Sequence, residues 1–462
     1  MKKSTIPQTH LFNERDLHLY ELQNIYTACS LWLTNGMENQ IATYDLTVRD
    51  LPPNRNFLLF GGLEEIIEGI RKWRYSPQEI NYLKKIKLAT PQLAKYLKDF
   101  KFSGDVWAMP EGTAFFPGEP VLRITAPICE GNLLTMFLIN ALTSNTVFMS
   151  KTVRCVLAAK NKRLIAGGGM RAQSFESAMK GTRAGYILGA AGGIPAFFRK
   201  YNLTPPPISI NAYHAVIKSF PSEIAAMRAA GKLFPNNSRP MVDTYNFKQG
   251  IRNVIKVSGE LRKKNGGSIA AITIDSGDLH QRAVYARQQF DQAGFSNIKI
   301  TIASNMDEFK IQEHIKKNTP LDTFLVVTAL SSSIDAPKLE TVYKLAELKK
   351  GKKTRPVCKF AVNKISYPGC KQVFRQYKNG RMQKDIIGLA NEKLGQPLLI
   401  KMISKGKIIY KLPQLDKIKE HTKKQLNELP ANLKKLEQQP KYQTCVSRQL
   451  LKLTTSVKNI HS

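Results

Sequence analysis

The 462-residue chain is poor in cysteine, and the cysteines it has form no recognisable pair. A CxxC spacing would suggest a zinc site, and a dense set would suggest a disulfide framework. Neither pattern is present, so we expect neither kind of site and infer a reducing compartment. The six cysteines are Cys29, Cys129, Cys155, Cys358, Cys370 and Cys445.

Long apolar runs are also scarce. The longest, from Leu133 to Met149, is interrupted by Asn140, Ser144 and Asn145. It therefore predicts a buried helix and not a membrane span. The basic first residues reach the polar residues 13–16 without the apolar core of a signal peptide. We expect a soluble, cytoplasmic protein that has no membrane partner.

Acidic residues are half as frequent as basic ones, 35 against 70, which gives a formal net charge of +35. A positive surface could attract an anionic substrate or nucleic acid. The charge is spread along the chain, which favours a lysine-rich coding background as its origin. The basic C-terminal segment lacks interleaved aromatic residues, so nucleic-acid binding is the weaker alternative, although the charge leaves it open.

Three regions of the chain differ in pattern. Residues 10–150 mix helical and extended patterns, which predicts an N-terminal α+β domain. Residues 151–375 alternate short apolar runs with longer amphipathic segments, which is typical of parallel βα units in an α/β domain. Residues 376–462 are rich in Lys and Gln and are broken by prolines, which predicts a basic C-terminal helical extension.

Polar clusters follow three apolar runs of the middle region, Ser268–Ile274, Ile298–Ala303 and Thr323–Thr328. In parallel α/β enzymes the carboxyl ends of the strands carry the chemistry. The simpler interpretation is that these polar residues cap the helices that follow. Three clusters in succession favour a functional site.

Two short segments have residue types suited to catalysis. His214 lies between a strand-like run and a helix start, where an imidazole can act as acid, base or nucleophile. A lone histidine is nevertheless more often structural. Asp275-Ser276-Gly277-Asp278 could hold Mg²⁺ through a pyrophosphate, or bind ribose hydroxyls. Gly277 would permit close approach of a ligand, and the following helix would offer its amides to an anion.

Considered together, the segments resemble the nicotinate phosphoribosyltransferase family from about residue 15 to 375. The motifs keep one order along the chain, and this order makes the resemblance specific. They are Leu19-Tyr20-Glu21-Leu22, Leu51-Pro52-Pro53-Asn54-Arg55-Asn56-Phe57-Leu58-Leu59-Phe60-Gly61-Gly62-Leu63, Arg171-Ala172-Gln173, Arg183-Ala184-Gly185-Tyr186-Ile187, Ala212-Tyr213-His214, Val242-Asp243-Thr244-Tyr245, Asp275-Ser276-Gly277-Asp278-Leu279, Ala303-Ser304-Asn305, Asp335-Ala336-Pro337, Val342-Tyr343-Lys344-Leu345 and Pro368-Gly369-Cys370-Lys371-Gln372-Val373.

The resemblance implies an irregular (β/α) barrel-like phosphoribosyltransferase domain packed with the N-terminal α+β domain. It also implies a homodimer that makes nicotinate mononucleotide for NAD biosynthesis from nicotinate and phosphoribosyl pyrophosphate. ATP and Mg²⁺ are the implied cofactors. His214 matches the histidine that accepts phosphate from ATP, while Asp275 and Asp278 match acids that organise ribose and magnesium.

The resemblance also assigns substrate-binding residues. Tyr20 matches an aromatic residue that stacks on the nicotinate ring across the dimer interface; without the resemblance it could equally be a core residue. Arg171 and Arg183 match basic positions that meet the nicotinate carboxylate or the phosphates, and Arg287 is expected to do the same. Surface solubility is the alternative for each arginine. Thr328 matches a threonine that touches the phosphoribosyl group.

Several positions depart from the family pattern. Asn211 replaces a threonine three residues before the histidine, and we assign it to the substrate site in that place. The other departures replace an arginine and several glycines, and one of them introduces a proline. Two alternatives therefore stay open, a non-catalytic relative that binds nucleotide or RNA, and a transferase that uses nicotinamide. The other departures lie at Met170, Gly192-Gly193-Ile194-Pro195, Leu325-Val326-Val327-Thr328 and Glu340-Thr341.

Overall fold

A computed structural model describes residues 18–167, 169–206, 208–360 and 366–461, without the side chains of Asn265 and His461. Residues 1–17, which include the basic start of the chain and the start of the predicted first domain, lie outside the described residues. Helices and strands alternate along much of the chain, which confirms the predicted α/β class.

The α-helices are α1 (Gln23–Thr34), α2 (Leu63–Lys72), α3 (Pro77–Lys85), α4 (Pro91–Lys98), α5 (Ile128–Asn132), α6 (Thr135–Ala159), α7 (Phe175–Ile187), α8 (Pro195–Tyr201), α9 (His214–Ser219), α10 (Glu223–Leu233), α11 (Phe247–Asn265), α12 (Leu279–Gln292), α13 (Glu308–Lys316), α14 (Thr328–Ser332), α15 (Leu415–Glu428) and α16 (Arg448–His461). A 3₁₀ helix spans Ala431–Lys434.

The β-strands are β1 (Ile41–Val48), β2 (Leu58–Leu59), β3 (Asp105–Ala108), β4 (Ala114–Phe115), β5 (Pro120–Pro127), β6 (Arg163–Ala166), β7 (Ile210–Ala212), β8 (Ser238–Pro240), β9 (Ala271–Ile274), β10 (Lys299–Ile302), β11 (Thr323–Val326), β12 (Thr341–Lys350), β13 (Lys353–Pro356), β14 (Lys371–Lys378), β15 (Arg381–Leu389), β16 (Gln396–Pro397), β17 (Ile400–Ser404), β18 (Lys407–Ile408) and β19 (Thr444–Val446).

The chain forms two compact units, one of Met1–Thr146 with Lys338–Ser462 and one of Val147–Pro337. The first boundary is close to the one that the sequence predicts at 150. The second lies at 337 and not at 375. Residues 376–462 belong to the first unit and include strands as well as helices. Long-range pairing causes this difference, because β12 and β17 enter the same sheet as β1.

A seven-stranded sheet forms the centre of the first unit, in the order β13-β12-β1-β5-β3-β17-β18. Strand β1 is rich in β-branched and aromatic residues, which favour a pleated surface. Its residue Ala42 pairs with Ala126 on one side and Leu348 on the other. Helix α2 adds one apolar face to the same hydrophobic core. The buried residues of that face are Leu63, Ile66, Ile67 and Ile70.

The longest apolar stretch of the sequence lies in helix α6 and just before it. By length and composition alone, the helical segment 128–159 could cross a membrane. However, 67% of its most apolar window is buried inside the protein, and Leu138, Ala141 and Leu142 belong to the hydrophobic core. The stretch is therefore packed as a core helix, as its interrupting polar residues predict.

Parallel strands form the centre of the second unit. One sheet has the order β6-β11-β10-β9, and β7 pairs with β8. Isolated bridges extend the pairing from Met241 to Thr273 and from Ile165 to Ala191. The strands thus follow one another in chain order, and β11 pairs with β6, which is compatible with a parallel barrel. Among the described residues, the junction between Ala191 and β7 has no strand pairing.

The predicted βα units are present in this second unit. The three predicted runs contain β9, β10 and β11, and the helix predicted over 279–294 is observed as α12. Gly294 has φ 72° just beyond this helix, as a C-terminal glycine does. Thr301 pairs with both Thr273 and Thr323. Because paired residues point to one face of a sheet, these threonines form a row across the strands.

Candidate active site

His214 lies where β7 ends and α9 begins. Nδ1 of its ring lies 2.9 Å from Oγ1 of Thr244. Nε2 lies 3.9 Å from Oδ2 of Asp275, and the two side chains are 37% and 36% exposed. The ring is therefore held at one nitrogen, while the other nitrogen faces an acid at a position that a ligand can reach.

Asp275 lies in an acidic, partly buried environment directly after β9. Its backbone N–H donates to Oδ2 of Asp243 at 2.8 Å. Burial raises the pKa of Asp275, and the charge of Asp243 raises it further. His214, the backbone N–H of Ser304 and the charge of Arg171 oppose this rise. Asp275 thus faces His214 directly, and the charge of Arg171 acts on it.

Asp243 lies in the motif Val242-Asp243-Thr244-Tyr245, but the sequence alone assigns it no role at the site. Its side chain is 1% exposed, and Oδ2 also accepts from the hydroxyl of Ser276 at 2.7 Å. Oδ1 is buried and has no hydrogen-bond partner, while the guanidinium of Arg282 lies 3.7 Å from Oδ2. The signal that could have identified it is at 241–244, where an apolar pair is followed by Asp-Thr, the same strand-end pattern as at Asp275.

Asp278, the second predicted acid, has a different environment. It is the N-cap of α12, where Oδ1 accepts from the backbone N–H of Gln281 at 3.0 Å. This hydrogen bond lowers the pKa of Asp278, and His280 and Lys317 act in the same direction. Asp278 therefore fits the simpler interpretation of the polar clusters as helix caps. Within the described ranges, no group of three His, Cys, Asp or Glu residues is arranged to hold a metal ion.

Gly277 shapes the turn between the two acids. Its φ of 69° lies in the left-handed region that favours glycine. A β-carbon there would lie 2.5 Å from Cζ of Arg282. Nη1 of Arg282 donates to the carbonyl and hydroxyl oxygens of Ser276 at 2.9 and 3.0 Å. An arginine that holds the turn, and not a ligand, therefore occupies the space beside the glycine.

Two predicted arginines belong to this second unit. Arg171 is exposed on the segment before α7, and its charge acts on Asp275. Arg183 is 8% exposed within α7, and this helix packs against α14. Thr328 is the first residue of α14, and its carbonyl accepts from the hydroxyl of Ser332 at 2.9 Å. The charge of Arg171 thus acts on the cluster, and Arg183 lies on the helix that packs against α14, which begins with Thr328.

The two bulky residues that replace glycines near Thr328 pack against a glycine of the neighbouring strand. Leu325 and Val327 are half-buried. A β-carbon at Gly167 would lie 2.9 Å from Cγ2 of Val327 and 3.2 Å from Cδ1 of Leu325. Gly167 directly follows β6, which pairs with β11. The missing side chain at Gly167 therefore makes room for the two larger ones.

Asn211 lies on β7, in register with Arg239 of β8. Oδ1 of Asn211 is buried without a hydrogen-bond partner, and the same holds for Nε and Nη1 of Arg239. Arg239 is 4% exposed, which is unusual for an arginine. No local pattern in the sequence points to Arg239, because its burial depends on how the strands assemble.

Arg287 and Tyr20 have other surroundings. Nε of Arg287 lies 3.0 Å from Asp291, and Nη1 donates to the carbonyl of Ile298 at 2.9 Å. These contacts tie α12 to the segment before β10 and leave the predicted substrate contact of Arg287 without support. Tyr20 lies in the first unit, in a helical turn before α1, and is 37% exposed.

Comparisons with known proteins identify relatives of this chain. The family profile described as the nicotinate phosphoribosyltransferase N-terminal domain matches residues 19–143, and that of the C-terminal domain matches residues 395–454. A nicotinate phosphoribosyltransferase of Mycobacterium tuberculosis is 34% identical over 399 residues, which cover 86% of this chain and 84% of the relative. One of Bacillus subtilis is 27% identical over 399 residues, with coverages of 85% and 80%.

Solved structures share the fold. The crystal structure of human nicotinic acid phosphoribosyltransferase has a TM-score of 0.83 at 20% identity, and the match covers 95% of this chain and 99% of that one. A nicotinate-nucleotide pyrophosphorylase from Pyrococcus furiosus has a TM-score of 0.71 at 21% identity, with coverages of 91% and 98%. At such identities the similarity concerns the fold alone, and it supports the mixed α/β architecture.

Proposed function

The chain belongs to the nicotinate phosphoribosyltransferase family, and we propose that it forms nicotinate mononucleotide from nicotinate and phosphoribosyl pyrophosphate. ATP hydrolysis is coupled to this reaction through a phosphohistidine at His214. The observation that carries the proposal is the geometry of that ring. Its Nδ1 contacts Thr244, while Nε2 faces Asp275 at 3.9 Å.

The contact with Thr244 selects the nitrogen that reacts. When Nδ1–H of His214 donates to the threonine oxygen, the lone pair of the imidazole is on Nε2. Nε2 then attacks the terminal phosphorus of ATP, so that an N–P bond forms while the P–O bond to ADP breaks. Water later takes the phosphoryl group from Nε2 and releases inorganic phosphate. This hydrolysis makes formation of the mononucleotide more favourable.

Asp243 and Asp275 fit Mg²⁺ better than Asp278 does. Asp278 already uses its carboxylate to cap α12. Asp243 has a buried oxygen without a partner, and the partly exposed Asp275 lies beside it. Proteins usually hold Mg²⁺ with one or two carboxylates, and substrate phosphates supply further ligands. The ion would offset the negative charge that develops on the leaving pyrophosphate.

We assign the remaining substrate contacts by the family pattern. Arg171, whose charge reaches Asp275, suits a phosphate group. Arg183 and Thr328, on helices that pack together, suit the phosphoribosyl group. Tyr20 carries a partly exposed ring that suits stacking on a flat pyridine in a homodimer. The scattered cysteines are consistent with a cytoplasmic enzyme.

No specific observation favours a non-catalytic relative. That alternative depended on the departures from the family pattern and on the basic charge, and the bulky residues in place of glycines near Thr328 are among those departures. Leu325 and Val327 pack on Gly167, so their added volume is accommodated by the neighbouring strand. The choice between nicotinate and nicotinamide depends on whether a positively charged side chain pairs with the carboxylate of nicotinate. Arg239 is the candidate for this role.

Labelling with radioactive ATP tests the phosphohistidine. In the presence of Mg²⁺ the wild type is expected to acquire a label that survives base and is lost in acid. His214→Ala is expected to acquire none. His280→Ala is the matched control, because His280 lies in the same unit but its Nδ1 contacts Thr319 at 2.8 Å. Equal labelling of wild type and His214→Ala contradicts the assignment.

A product assay tests the reaction itself. Wild-type protein is supplied with labelled nicotinate, phosphoribosyl pyrophosphate, ATP and Mg²⁺, and nicotinate mononucleotide is measured. Failure of the wild type to form this product overturns the proposed function. Product formation without ATP consumption would support the transferase reaction and contradict its coupling to ATP hydrolysis through His214.

A further inference from the structure

Buried polar atoms without hydrogen-bond partners occur on neighbouring strands of the second unit. Arg239 is the strongest case, because it is 4% exposed and its Nε and Nη1 both lack partners. Oδ1 of Asn211 and Oγ1 of Thr273 are also buried without a hydrogen-bond partner. Buried polar groups in folded proteins are nearly always paired, so a group of unpaired ones indicates a ligand that completes them.

Strand register brings these groups to one face. Asn211 pairs with Arg239, and Met241 pairs with Thr273. Side chains alternate along a strand and paired residues point the same way, so Arg239, Met241 and Thr273 share a face. By the same alternation, Asp275 continues that face two residues beyond Thr273. The unpaired groups therefore lie on the surface that carries the candidate site, before the strands end.

The surroundings of Arg239 suit a small anion with a single charge. Burial lowers the pKa of Arg239, and the positive charge of Arg163 lowers it further. Both effects disfavour the guanidinium cation until a negative charge is supplied. Asn211 and Thr273 add neutral hydrogen-bonding groups. A carboxylate meets these conditions, since its two oxygens accept charge-assisted hydrogen bonds from arginine.

A phosphate group fits this position less well. Phosphates of the substrate carry several charges and bring Mg²⁺ and water with them. The partly exposed strand ends at His214 and Asp275, with Arg171 nearby, provide such an environment. The two anionic parts of the substrates are thereby separated, with phosphates at the strand ends and the carboxylate deeper.

We infer that Arg239 binds the carboxylate of the pyridine substrate and makes the enzyme select nicotinate over nicotinamide. This inference rests on the proposed function. Nicotinamide is neutral at the corresponding group and leaves the buried guanidinium without a counter-charge. The loss of a charge-assisted hydrogen bond at a buried position weakens binding by about 10- to 100-fold. We therefore expect nicotinate to bind more tightly than nicotinamide by the same factor.

Steady-state kinetics of Arg239→Gln and Arg239→Lys test the inference. Nicotinate, nicotinamide and phosphoribosyl pyrophosphate are varied in turn. The glutamine variant is expected to raise KM for nicotinate by about 10- to 100-fold and to leave KM for phosphoribosyl pyrophosphate unchanged. Its preference for nicotinate over nicotinamide should fall by a similar factor. The lysine variant should lie between the glutamine variant and the wild type, because it keeps the charge without the planar fork.

Arg228→Gln is the matched control, because Arg228 lies in the same unit but is exposed and paired with Glu260 at 2.7 Å. It should behave as the wild type. A rise in KM for phosphoribosyl pyrophosphate alone would assign Arg239 to a phosphate and overturn the inference. Unchanged constants for all three substrates would also overturn it.

A ligand-induced rise in Tm provides a measurement that does not depend on turnover or on a folded variant. Wild-type protein is heated with nicotinate or with nicotinamide, each with phosphoribosyl pyrophosphate present. Stronger stabilisation by nicotinate supports the inference, and equal stabilisation opposes it. A wild type that forms no product defeats the proposed function, whereas an active wild type with unaltered Arg239 variants defeats this inference alone.

Discussion

Arg375 in the first unit and Arg239 in the second are both buried, but their guanidinium groups differ in what surrounds them. Nε of Arg375 donates to Asp385 at 2.9 Å, while Nη1 and Nη2 reach Gln425 and the carbonyl of Ala114. Arg239 keeps two nitrogens without partners. A paired buried charge is tolerated because its desolvation is offset, whereas an unpaired one lowers stability. The first arrangement suits a scaffold, and the second suits a binding site.

The pairing of Arg375 has a simple structural origin. Arg375 and Asp385 are directly opposite each other on the antiparallel strands β14 and β15. Their side chains are fully buried, and Tyr442 donates its hydroxyl to the same carboxylate at 3.1 Å. Register alone therefore brings the opposite charges together, and no ligand is needed to complete them.

Removal of the paired arginine should give the largest effect. Arg375→Met leaves Asp385 buried without its counter-charge, and we expect the free energy of unfolding to fall by about 3–5 kcal/mol. Urea denaturation of the full chain measures this loss. Arg381→Met on the exposed surface of β15 is the control and should cost less than about 1 kcal/mol. A similarly small loss for Arg375→Met would show that the paired arginine does not stabilise the fold, and its contrast with Arg239 would be wrong.

Glu21 extends the comparison to a buried acid of the first unit. Oε1 accepts from the backbone N–H groups of Met136 and Phe137, while Oε2 is buried without a partner. Burial raises the pKa of Glu21 from 4.5 to about 8. The folded protein therefore holds this proton more tightly than the unfolded chain. The stabilising contribution is complete below pH 4.5 and is lost as the pH rises towards 8.

Glu21→Gln should remove this pH dependence, because glutamine keeps a hydrogen-bonding side chain that does not titrate. Between pH 6 and pH 8 we expect the wild type to lose on the order of 2 kcal/mol more stability than the variant. Urea denaturation at a series of pH values measures the difference. Parallel profiles for the two proteins would show that Glu21 is ionised throughout, against the raised pKa.

Much of the second unit's fold could be predicted, because its signals are local. The apolar runs before Asp275, Asn305 and Thr328 are each bounded by polar residues, and each contains a parallel strand. The place of residues 338–462 could not be predicted in this way. Their membership of the first unit depends on pairs such as Ala42 with Leu348, and strand pairs so distant in sequence leave no local pattern.

The candidate site likewise contains residues that local motifs predict and residues that depend on the assembled strands. His214, Asp275 and Arg171 lie at motifs; the structure places His214 opposite Asp275, and the charge of Arg171 acts on that acid. Arg239 lies in no motif. Its significance comes from two buried nitrogens that lack hydrogen-bond partners, which only the structure reveals. Arg287 shows the converse: it lies on the expected helix, but it contacts Asp291 and the carbonyl of Ile298, and its substrate contact stays a prediction.

Arg239 should affect the stability of the ligand-free protein in the opposite direction from Arg375. Arg239→Met removes a buried cation and fills similar volume with apolar atoms, so we expect the free energy of unfolding to rise by about 1 kcal/mol. Urea denaturation without substrates measures it. A loss of stability comparable to that of Arg375→Met would mean that Arg239 is part of the scaffold, and the contrast between the two arginines would fail.

Asp278 gives the smallest expected effect and separates a helix cap from a metal ligand. Asparagine caps a helix about as well as aspartate, so Asp278→Asn should preserve α12 and change kcat by no more than about twofold. Asp275→Asn, which removes an acid that faces His214, should lower kcat by about 100-fold or more. Product formation at several Mg²⁺ concentrations measures both. If Asp278→Asn instead raises the Mg²⁺ concentration that the reaction requires, the carboxylate of Asp278 binds the ion. In that case the assignment of Asp278 to the helix cap and of Asp275 to the site would be wrong.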